Sequence, residues 1–190
     1  EEFSVFYQPV IDTVTGNVAG VEALVRWIHP EKGIVSPAEF IPVAEETGLI
    51  HPMTLNLLRQ ACRQLRDWQD RHVQARSSLM GVNFSRRLVL EPCIVDEVAA
   101  ILQQTDVRPE NIVLEITESA MLTNRDAAIS LFERLRGLGV WLHLDDFGTG
   151  YSSLSCLYRI PLSGIKIDRT FVCEASAHPQ QRAVLKAVVG

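Results

Sequence analysis

Residues 142–154 read Leu-His-Leu-Asp-Asp-Phe-Gly-Thr-Gly-Tyr-Ser-Ser-Leu, and this stretch decides how the fold is interpreted. A predicted strand from Val140 to Leu144 leads into two adjacent carboxylates, Asp145 and Asp146, and then into a Gly/Thr/Ser loop. Neighbouring aspartates repel each other, and a divalent cation relieves that repulsion. Because successive strand side chains point to opposite sides, the two carboxylates can serve two different centres. The alternative is that they only begin a turn and cap a helix, where Asp and Gly are common.

The composition indicates a soluble globular chain with one domain. Of its 190 residues, 47% are hydrophobic and 22% are charged, as in ordinary soluble proteins. The net charge of -5 argues against a basic face, so a nucleic-acid polymer is not expected as a partner. No signal peptide is visible, and no apolar run reaches the roughly 18 residues of a membrane span. The cysteines form no CxxC pair or zinc-like cluster, which favours a reducing compartment.

The first third of the sequence predicts a β-hairpin followed by helices. Aromatic and β-branched residues predict strands at 3–10 and 18–27, close enough to pair antiparallel. Glu22 lies inside the second, otherwise apolar strand. Its charge is therefore expected to be paired or to ligate a cation, unless it faces water on an edge strand. The other predicted elements here are a loop at 29–37 and helices at 37–46 and 53–73.

From residue 79 onward, strands alternate with helices, which is the pattern of a parallel sheet. The predicted strands are 79–84, 112–117, 140–145 and 164–167, and the predicted helices are 92–104, 125–138, 151–158 and 179–190. With the hairpin this makes about six strands, four of them in tandem β/α units. An open doubly wound sheet and a (β/α)₈ barrel both fit. No GxGxxG or GxxxxGK[ST] motif follows a strand, which excludes the usual nucleotide-binding folds.

Oxygen-bearing side chains lie in or directly after several predicted strands. In a (β/α)₈ barrel the active-site groups lie at the C-terminal ends of strands, so this distribution favours a barrel. Oxygen ligands suit Mg²⁺ or Mn²⁺ rather than zinc. Two such ions, about 4 Å apart, can clamp the attacking and leaving oxygens of a phosphoryl displacement. The candidate ligands are Glu22, Asn83, Glu115, Asp145 and Asp146.

Two cationic side chains have roles that the residues alone leave open. Lys166 can orient a water molecule or offset phosphate charge, or it can simply form a salt bridge with a buried carboxylate. Arg26 lies on the same predicted strand as Glu22 and can meet a phosphate oxygen, or it can be an ordinary surface charge. Both side chains therefore remain candidates for the site.

Motifs spread over essentially the whole chain resemble those of the EAL domain family. The signature of that family is present as Glu22-Ala23-Leu24. The matching segments are Tyr7-Gln8-Pro9, Gly20 to Trp27, His29-Pro30, Phe40-Ile41-Pro42, Ala44-Glu45, Gly48-Leu49-Ile50, Val82 to Ser85, Leu114 to Glu118, Asp145 to Leu154 and Lys166-Ile167-Asp168.

The resemblance implies a fold, an activity and a cellular setting. EAL domains are α/β proteins, TIM-like (β/α)₈ barrels with an antiparallel first strand. They hydrolyse the bacterial messenger cyclic di-GMP to linear pGpG, by in-line attack of a water activated by Mg²⁺ or Mn²⁺, with two ions expected. A cytoplasmic homodimer, fused to sensory or GGDEF domains, is implied as well. The alternative is a module that binds cyclic di-GMP or a protein partner without hydrolysis, and a barrel hydrolase for another phosphoester is a more distant one.

The resemblance also assigns roles to single residues through the motifs that match. The residues that resemble ligands of one metal are Glu22, Asn83, Glu115 and Asp145. Asp146 resembles a ligand of a second metal, which Asp145 also contacts in this pattern. Lys166 resembles the lysine that contacts the catalytic water, and Glu118 resembles the glutamate that anchors the loop after the double aspartate. The residues that resemble substrate-contacting positions of the family are Gln8, Leu24 and Arg26. The loop after the double aspartate, residues 147–154, couples metal binding to dimer contacts in the family.

The C-terminal part of the sequence departs from the family pattern. A (β/α)₈ barrel needs about 250 residues. Residues 1–190 are therefore expected to be an EAL phosphodiesterase domain that lacks the last two β/α units, with an incomplete barrel. In the family those units carry a glutamate near the metals and a Gln-Gly pair that touches the substrate. Exposed sheet edges would favour association, and the activity of such a chain is open.

Overall fold

Strands and helices alternate along the chain in the computed structural model, which describes residues 2–117, 125–148, 160–175, 182–183 and 185. In chain order the strands and helices are β1 (Phe3–Ile11), β2 (Val18–His29), β3 (Gly33–Val35), α1 (Pro37–Thr47), α2 (Ile50–Arg71), β4 (Leu79–Phe84), α3 (Ile94–Thr105), β5 (Ile112–Thr117), α4 (Arg125–Gly137), β6 (Trp141–Phe147), β7 (Gly164–Ile167) and α5 (Arg169–Ala175). Short 3₁₀ helices cover Val73–Ser77, Arg86–Leu90 and Pro109–Asn111.

Within the described residues, seven strands form one sheet with the order β1-β2-β4-β5-β6-β7, and β3 pairs with β2. β1 and β2 form the antiparallel hairpin that the sequence predicts, and β2, β4, β5, β6 and β7 run parallel. Helices α2, α3 and α4 connect successive parallel strands. Among the described strands, β1 forms one edge of the sheet and β7 forms the other. The predicted fold class, an incomplete TIM-like barrel with an antiparallel first strand, is confirmed.

The hydrophobic core lies between the sheet and helices α2, α3 and α4. Alternate residues of β4 and β5 are directed into this core: Met80, Val82, Phe84, Ile112, Leu114 and Ile116. The apolar stripe predicted on α2, which includes Leu58, Cys62 and Leu65, is buried there too. Because side chains alternate along a strand, Asn83 and Glu115 point to the opposite face of the sheet. The packing of the core thus decides which face of each strand is available for a site.

Helix α1 is delimited at both ends by residues with suitable backbone chemistry. Ser36 precedes it, and the Ser36 hydroxyl accepts a hydrogen bond from the Ala38 N–H at 3.3 Å. Pro37 occupies the first helical position, where no N–H donor is needed. Gly48 ends the helix with a φ of 78°, in the left-handed region that glycine adopts without steric cost. These boundaries agree with the sequence prediction, and they place α1 beside β2.

The structure corrects several predicted boundaries. The segment predicted as a loop at 29–37 contains the short strand β3, which pairs with the end of β2. Three residues carry too little periodicity to be recognised from sequence. The other differences are that α2 begins at Ile50, α3 begins at Ile94, β6 extends to Phe147, and α5 was not predicted. The helices predicted at 151–158 and from Pro179 lie wholly or mostly outside the described residues.

None of the helices in the described part of the chain combines the length and the apolar character that crossing a membrane requires. The longest of them, α2, has 22 residues and carries a regular series of charged side chains. Its charged face and its buried face are those of a helix packed on one side only.

Candidate active site

Polar side chains from five neighbouring strands meet at one place on the inner face of the sheet. In the register of the sheet, Asn83 on β4 lies beside Glu115 on β5, and Thr117 lies beside Asp145 on β6. Because parallel strands end at the same edge of a sheet, residues late in each strand come together there. The five side chains are Glu22, Asn83, Glu115, Asp145 and Lys166.

The Lys166 ammonium group lies among three carboxylates. Its Nζ donates to Glu115 Oε2 at 2.7 Å, to Glu22 Oε2 at 2.8 Å and to Asp145 Oδ2 at 3.3 Å. One carboxylate oxygen from each acid lies within 4.8 Å of the others. Asn83 Nδ2 donates to the second oxygen of Glu22 at 2.7 Å. We call Glu22, Glu115 and Asp145 the carboxylate cluster, which surrounds a single positive charge.

The surroundings change the proton affinities of Glu115 and Lys166. Burial raises the pKa of Glu115 to about 7, although the hydrogen bond and the charge of Lys166 oppose the change. Burial disfavours the charged form of Lys166, but its hydrogen bonds to Glu115 and Glu22 outweigh this and raise its pKa. Lys166 is therefore a fixed positive charge, whereas Glu115 exchanges its proton near neutral pH.

We expect the metal-free protein to lose stability as the pH rises from about 4.5 to about 7. Because the pKa of Glu115 is higher in the folded protein, the folded state binds this proton more tightly than the unfolded state. The protonated Glu115 contributes on the order of 2 kcal/mol to the free energy of unfolding. This contribution is fully present below the pKa of Glu115 in the unfolded chain, and it is lost as the pH rises through the pKa in the folded protein. Urea unfolding in EDTA at a series of pH values measures it. Glu115→Gln should flatten the slope in this interval, and an unchanged slope contradicts the expectation.

A glycine makes room for the buried carboxylate of Glu115. A Cβ atom at Gly81 on β4 would lie 2.7 Å from Glu115 Oε1 and 3.2 Å from Glu115 Cδ. No side chain fits there unless the carboxylate moves. The sequence analysis gave Gly81 no role, although a glycine inside a strand is a known sign of close approach by another group. Gly81 therefore belongs to the construction of the site.

Asp146 lies next to the carboxylate cluster but does not join it. Its backbone has a φ of 56°, and its N–H donates to Asp145 Oδ1 at 2.9 Å. Aspartate tolerates this left-handed conformation better than most residues do. Burial, and then the charges of Asp145 and Asp168, raise the pKa of Asp146. Asp146 lies within β6, where the pairing with β7 shifts register between Leu144 and Phe147. The alternative that the two aspartates only begin a turn therefore does not account for this backbone or for the contact of Asp145 with Lys166.

A cavity of about 620 Å³ adjoins the carboxylate cluster. Asn83 and Glu115 line one part of it, and Leu24 and Arg26 line the wall formed by β2. Apolar side chains of α1 and α2 line the remaining wall: Pro37, Ile41, Ile50, Met53 and Leu57. A volume of this size is typical of sites for small-molecule ligands, roughly 300–1,000 Å³.

The remaining predicted residues are placed as follows. Gln8 on β1 pairs with Glu22 in the hairpin register, so both side chains lie on the same face. Arg26 has its Cζ atom 6.0 Å from the centroid of the Phe6 ring. Glu118 and most of the loop at 147–154 lie outside the described residues.

Several polar residues that line the cavity were given no role from the sequence, among them Glu45, Ser85 and Arg86. Glu45 and Ser85 occur within quoted family segments, but no role was attached to them. The available signal was the position of Ser85 and Arg86 directly after a strand that carries a candidate ligand. Their connection to Glu45 is a contact between distant segments, which a single sequence does not reveal.

Comparison with known proteins gives close relatives. A family model described as "EAL domain" matches residues 1–190. The cyclic di-GMP phosphodiesterase NbdA of Pseudomonas aeruginosa is 40% identical over 190 residues, which are 100% of this chain and 24% of NbdA. The cyclic di-GMP phosphodiesterase PdeR of Escherichia coli K12 is 38% identical over 189 residues, again 100% of this chain and 28% of PdeR. The chain thus spans less than a third of the length of these curated relatives.

The fold and the family agree with a solved structure. The PaMucR phosphodiesterase in complex with c-di-GMP matches with a TM-score of 0.91 and 39% sequence identity, covering 99% of this chain and 75% of that chain. The arrangement of strands that carries the carboxylate cluster is therefore shared with a protein whose structure contains a cyclic dinucleotide. With a family model that matches every residue, the chain belongs to the EAL domain family.

Proposed function

We propose that this chain is a metal-dependent phosphodiesterase domain that hydrolyses cyclic di-GMP to pGpG. The observation that carries the proposal is the Lys166 ammonium group held by three carboxylates beside a cavity. NbdA and PdeR are named cyclic di-GMP phosphodiesterases, and the MucR structure contains c-di-GMP, which supports the same substrate. We further propose that residues 1–190 act as one EAL unit of a cytoplasmic, homodimeric parent that carries sensory or GGDEF domains.

The donor atoms at this place fit a hard divalent cation. Carboxylate and amide oxygens are the ligands that Mg²⁺ and Mn²⁺ prefer. In the structure the carboxylate cluster already holds one positive charge, that of Lys166. The residues proposed to hold one ion are Glu22, Asn83, Glu115 and Asp145, and Asp146 is proposed to hold a second ion together with Asp145. Bound ions would stabilise charge on the reacting phosphate and lower the pKa of water.

The side chains of the chain itself supply binding and orientation. Arg26 lines the cavity and offsets the negative charge of a phosphodiester, with Leu24 beside it and Gln8 on the same sheet face. Lys166 Nζ donates a hydrogen bond to the attacking water and keeps it in line. The water oxygen bonds to phosphorus and gives up a proton, the bond to the 3′ oxygen breaks, and that oxygen leaves with the electron pair. The proton that the leaving oxygen takes up balances the one that the water loses. The product keeps its phosphate on the 5′ oxygen. Glu118 is proposed to anchor the loop that follows Asp146.

We expect Gly81→Ala to weaken cation binding and turnover about 10- to 100-fold, as changes beside ligands typically do. The added Cβ would lie 2.7 Å from Glu115 Oε1, so the carboxylate has to leave its place. Gly137→Ala at the end of α4 is the matched control, because its Cβ would meet nothing within 4 Å. Titration with Mn²⁺, followed by the shift in melting temperature, measures the effect. Equal affinity in the two variants contradicts the expectation.

Product analysis tests the proposed function. Cyclic di-GMP and a simple diaryl phosphodiester are each incubated with the protein and Mn²⁺, and the nucleotides are separated by chromatography. The proposal predicts pGpG as the product and slow turnover of the diaryl ester. Binding of cyclic di-GMP without any product would instead assign the chain to the non-hydrolysing modules. Equal turnover of both compounds would indicate a phosphodiesterase of a different specificity.

A further inference from the structure

The cavity beside the carboxylate cluster has a second polar corner, formed by Glu45 on α1 and by residues that follow β4. Ser85 Oγ donates to Glu45 Oε1 at 2.7 Å, and Arg86 Nε lies 3.6 Å from Glu45 Oε2. Both Glu45 and Arg86 line the cavity. Glu45 thereby fixes the start of the segment that carries Arg86, and it holds the guanidinium by its Nε side.

Toward the described residues, the outer edge of this guanidinium is open to a ligand. The Arg86 side chain is 48% exposed, and Glu45 Oε2 is the partner of its Nε in the described part of the chain. No acceptor from the described residues contacts its two Nη groups. An arginine presents these donors in a rigid fork, which pairs with two acceptors lying side by side. The apolar wall of α1 and α2 in the same cavity offers a surface against which a flat base can pack.

We propose that Arg86, oriented by Glu45, recognises the O6 and N7 acceptors of one guanine base and so selects guanine over adenine. This inference rests on the proposed function. Guanine places two acceptors next to each other, which an arginine contacts with both arms. Adenine has an amino donor in place of O6, so one arm of the fork would face another donor. Arg86 is a specificity-determining residue in this account.

The neighbouring arginine provides a matched control. Arg87 follows Arg86 in the same short 3₁₀ helix, but it lines a separate depression with Gly48, His51 and Leu90. It does not line the cavity beside the carboxylate cluster. Its substitution removes the same charge from the same segment and leaves the proposed contact intact.

The test compares Arg86→Ala, Arg86→Lys and Arg87→Ala by steady-state kinetics. The readouts are kcat and KM for cyclic di-GMP and the inhibition constant of cyclic di-AMP against that turnover. Arg86→Ala should raise KM about 10- to 100-fold, with a smaller change in kcat and little change for cyclic di-AMP. Arg86→Lys should recover little, since one ammonium cannot contact both acceptors. Arg87→Ala should resemble the unmodified protein.

Three outcomes overturn the inference. A KM for Arg86→Ala equal to that for Arg87→Ala removes the contact altogether. Equal weakening of both dinucleotides means that Arg86 supplies positive charge without reading the base. The first two outcomes overturn the inference but leave the proposed function standing. If the unmodified protein neither binds nor turns over cyclic di-GMP, the proposed function is wrong as well. Melting temperatures show whether Arg86 also has a structural role. Because an exposed ion pair contributes little to stability, Arg86→Ala should melt close to the temperature of the unmodified protein.

Discussion

Replacing Asp145 with asparagine is expected to reduce turnover of cyclic di-GMP by about a thousandfold or more. The substitution keeps the shape of the side chain and its acceptor oxygen for the Asp146 N–H, which donates to Asp145 Oδ1 at 2.9 Å. It removes the charge from one of three carboxyl groups that have oxygens within 4.8 Å of one another. A metal ion contributes several kcal/mol to a phosphoryl transition state, and each 1.4 kcal/mol is about tenfold in rate. Turnover at saturating Mn²⁺ measures the loss.

Two further variants make this experiment specific to the carboxylate cluster. Glu22→Gln should behave like Asp145→Asn, since it removes another charge of the same cluster. Glu133→Ala on the outer face of α4 removes an exposed carboxylate and should leave turnover unchanged. Melting temperatures in EDTA establish that each variant is folded. If Asp145→Asn, fully folded, retains turnover within about threefold of the unmodified protein, the assignment of the cation site is wrong.

Replacing Lys166 with methionine should have opposite effects on stability and on cation binding. In the metal-free protein, the three carboxylates lose their shared counter-ion, whose Nζ lies 2.7 Å to 3.3 Å from their oxygens. Breaking a mostly buried ion pair in this way costs about 1–3 kcal/mol after allowance for partial solvent exposure. A divalent cation no longer competes with the ammonium group, so Mn²⁺ should bind more tightly. Turnover should fall about 100-fold or more because the contact to the attacking water is lost.

The measurement is the melting temperature with EDTA and with increasing Mn²⁺. Lys166→Met should melt at a lower temperature than the unmodified protein in EDTA and gain more from Mn²⁺. Lys32→Met, in an exposed turn, is the control for removal of a lysine charge and should match the unmodified protein. An equal response of Lys166→Met and Lys32→Met to Mn²⁺ would show that Lys166 and the cation do not share a site.

The strands that carry the site could be predicted because their sequence signals are local. β4, β5 and β7 are short apolar runs bounded by polar or turn residues, and their observed limits agree with the predicted ones. Glu22 was expected to be paired because a charge interrupts an apolar run, and it accepts hydrogen bonds from Asn83 and Lys166. Burial and alternation along each strand were sufficient for these predictions.

Contacts between distant segments could not be predicted in the same way. The space that Gly81 leaves for Glu115 depends on the exact approach of two strands, which periodicity does not specify. The connection of Glu45 to Ser85 joins a helix to a strand end 40 residues away. The sequence also left open whether Lys166 is a salt-bridge partner or a catalytic group. The structure shows it paired with the carboxylates, and the two roles are compatible if a cation displaces the ammonium group.

The measurement that tests the central claim most directly is reversible, cation-dependent turnover of cyclic di-GMP by this protein. Formation of pGpG is followed with Mg²⁺ or Mn²⁺, then with excess EDTA, then after the cation is restored. The account predicts that pGpG forms in the first step, that none forms in EDTA, and that its formation recovers in the third step. Glu22, Glu115 and Asp145 are unchanged throughout, so the recovery reports rebinding of the cation. Formation of pGpG at the same rate in EDTA would contradict the cation site. No product under any condition, from folded protein, would contradict the phosphodiesterase.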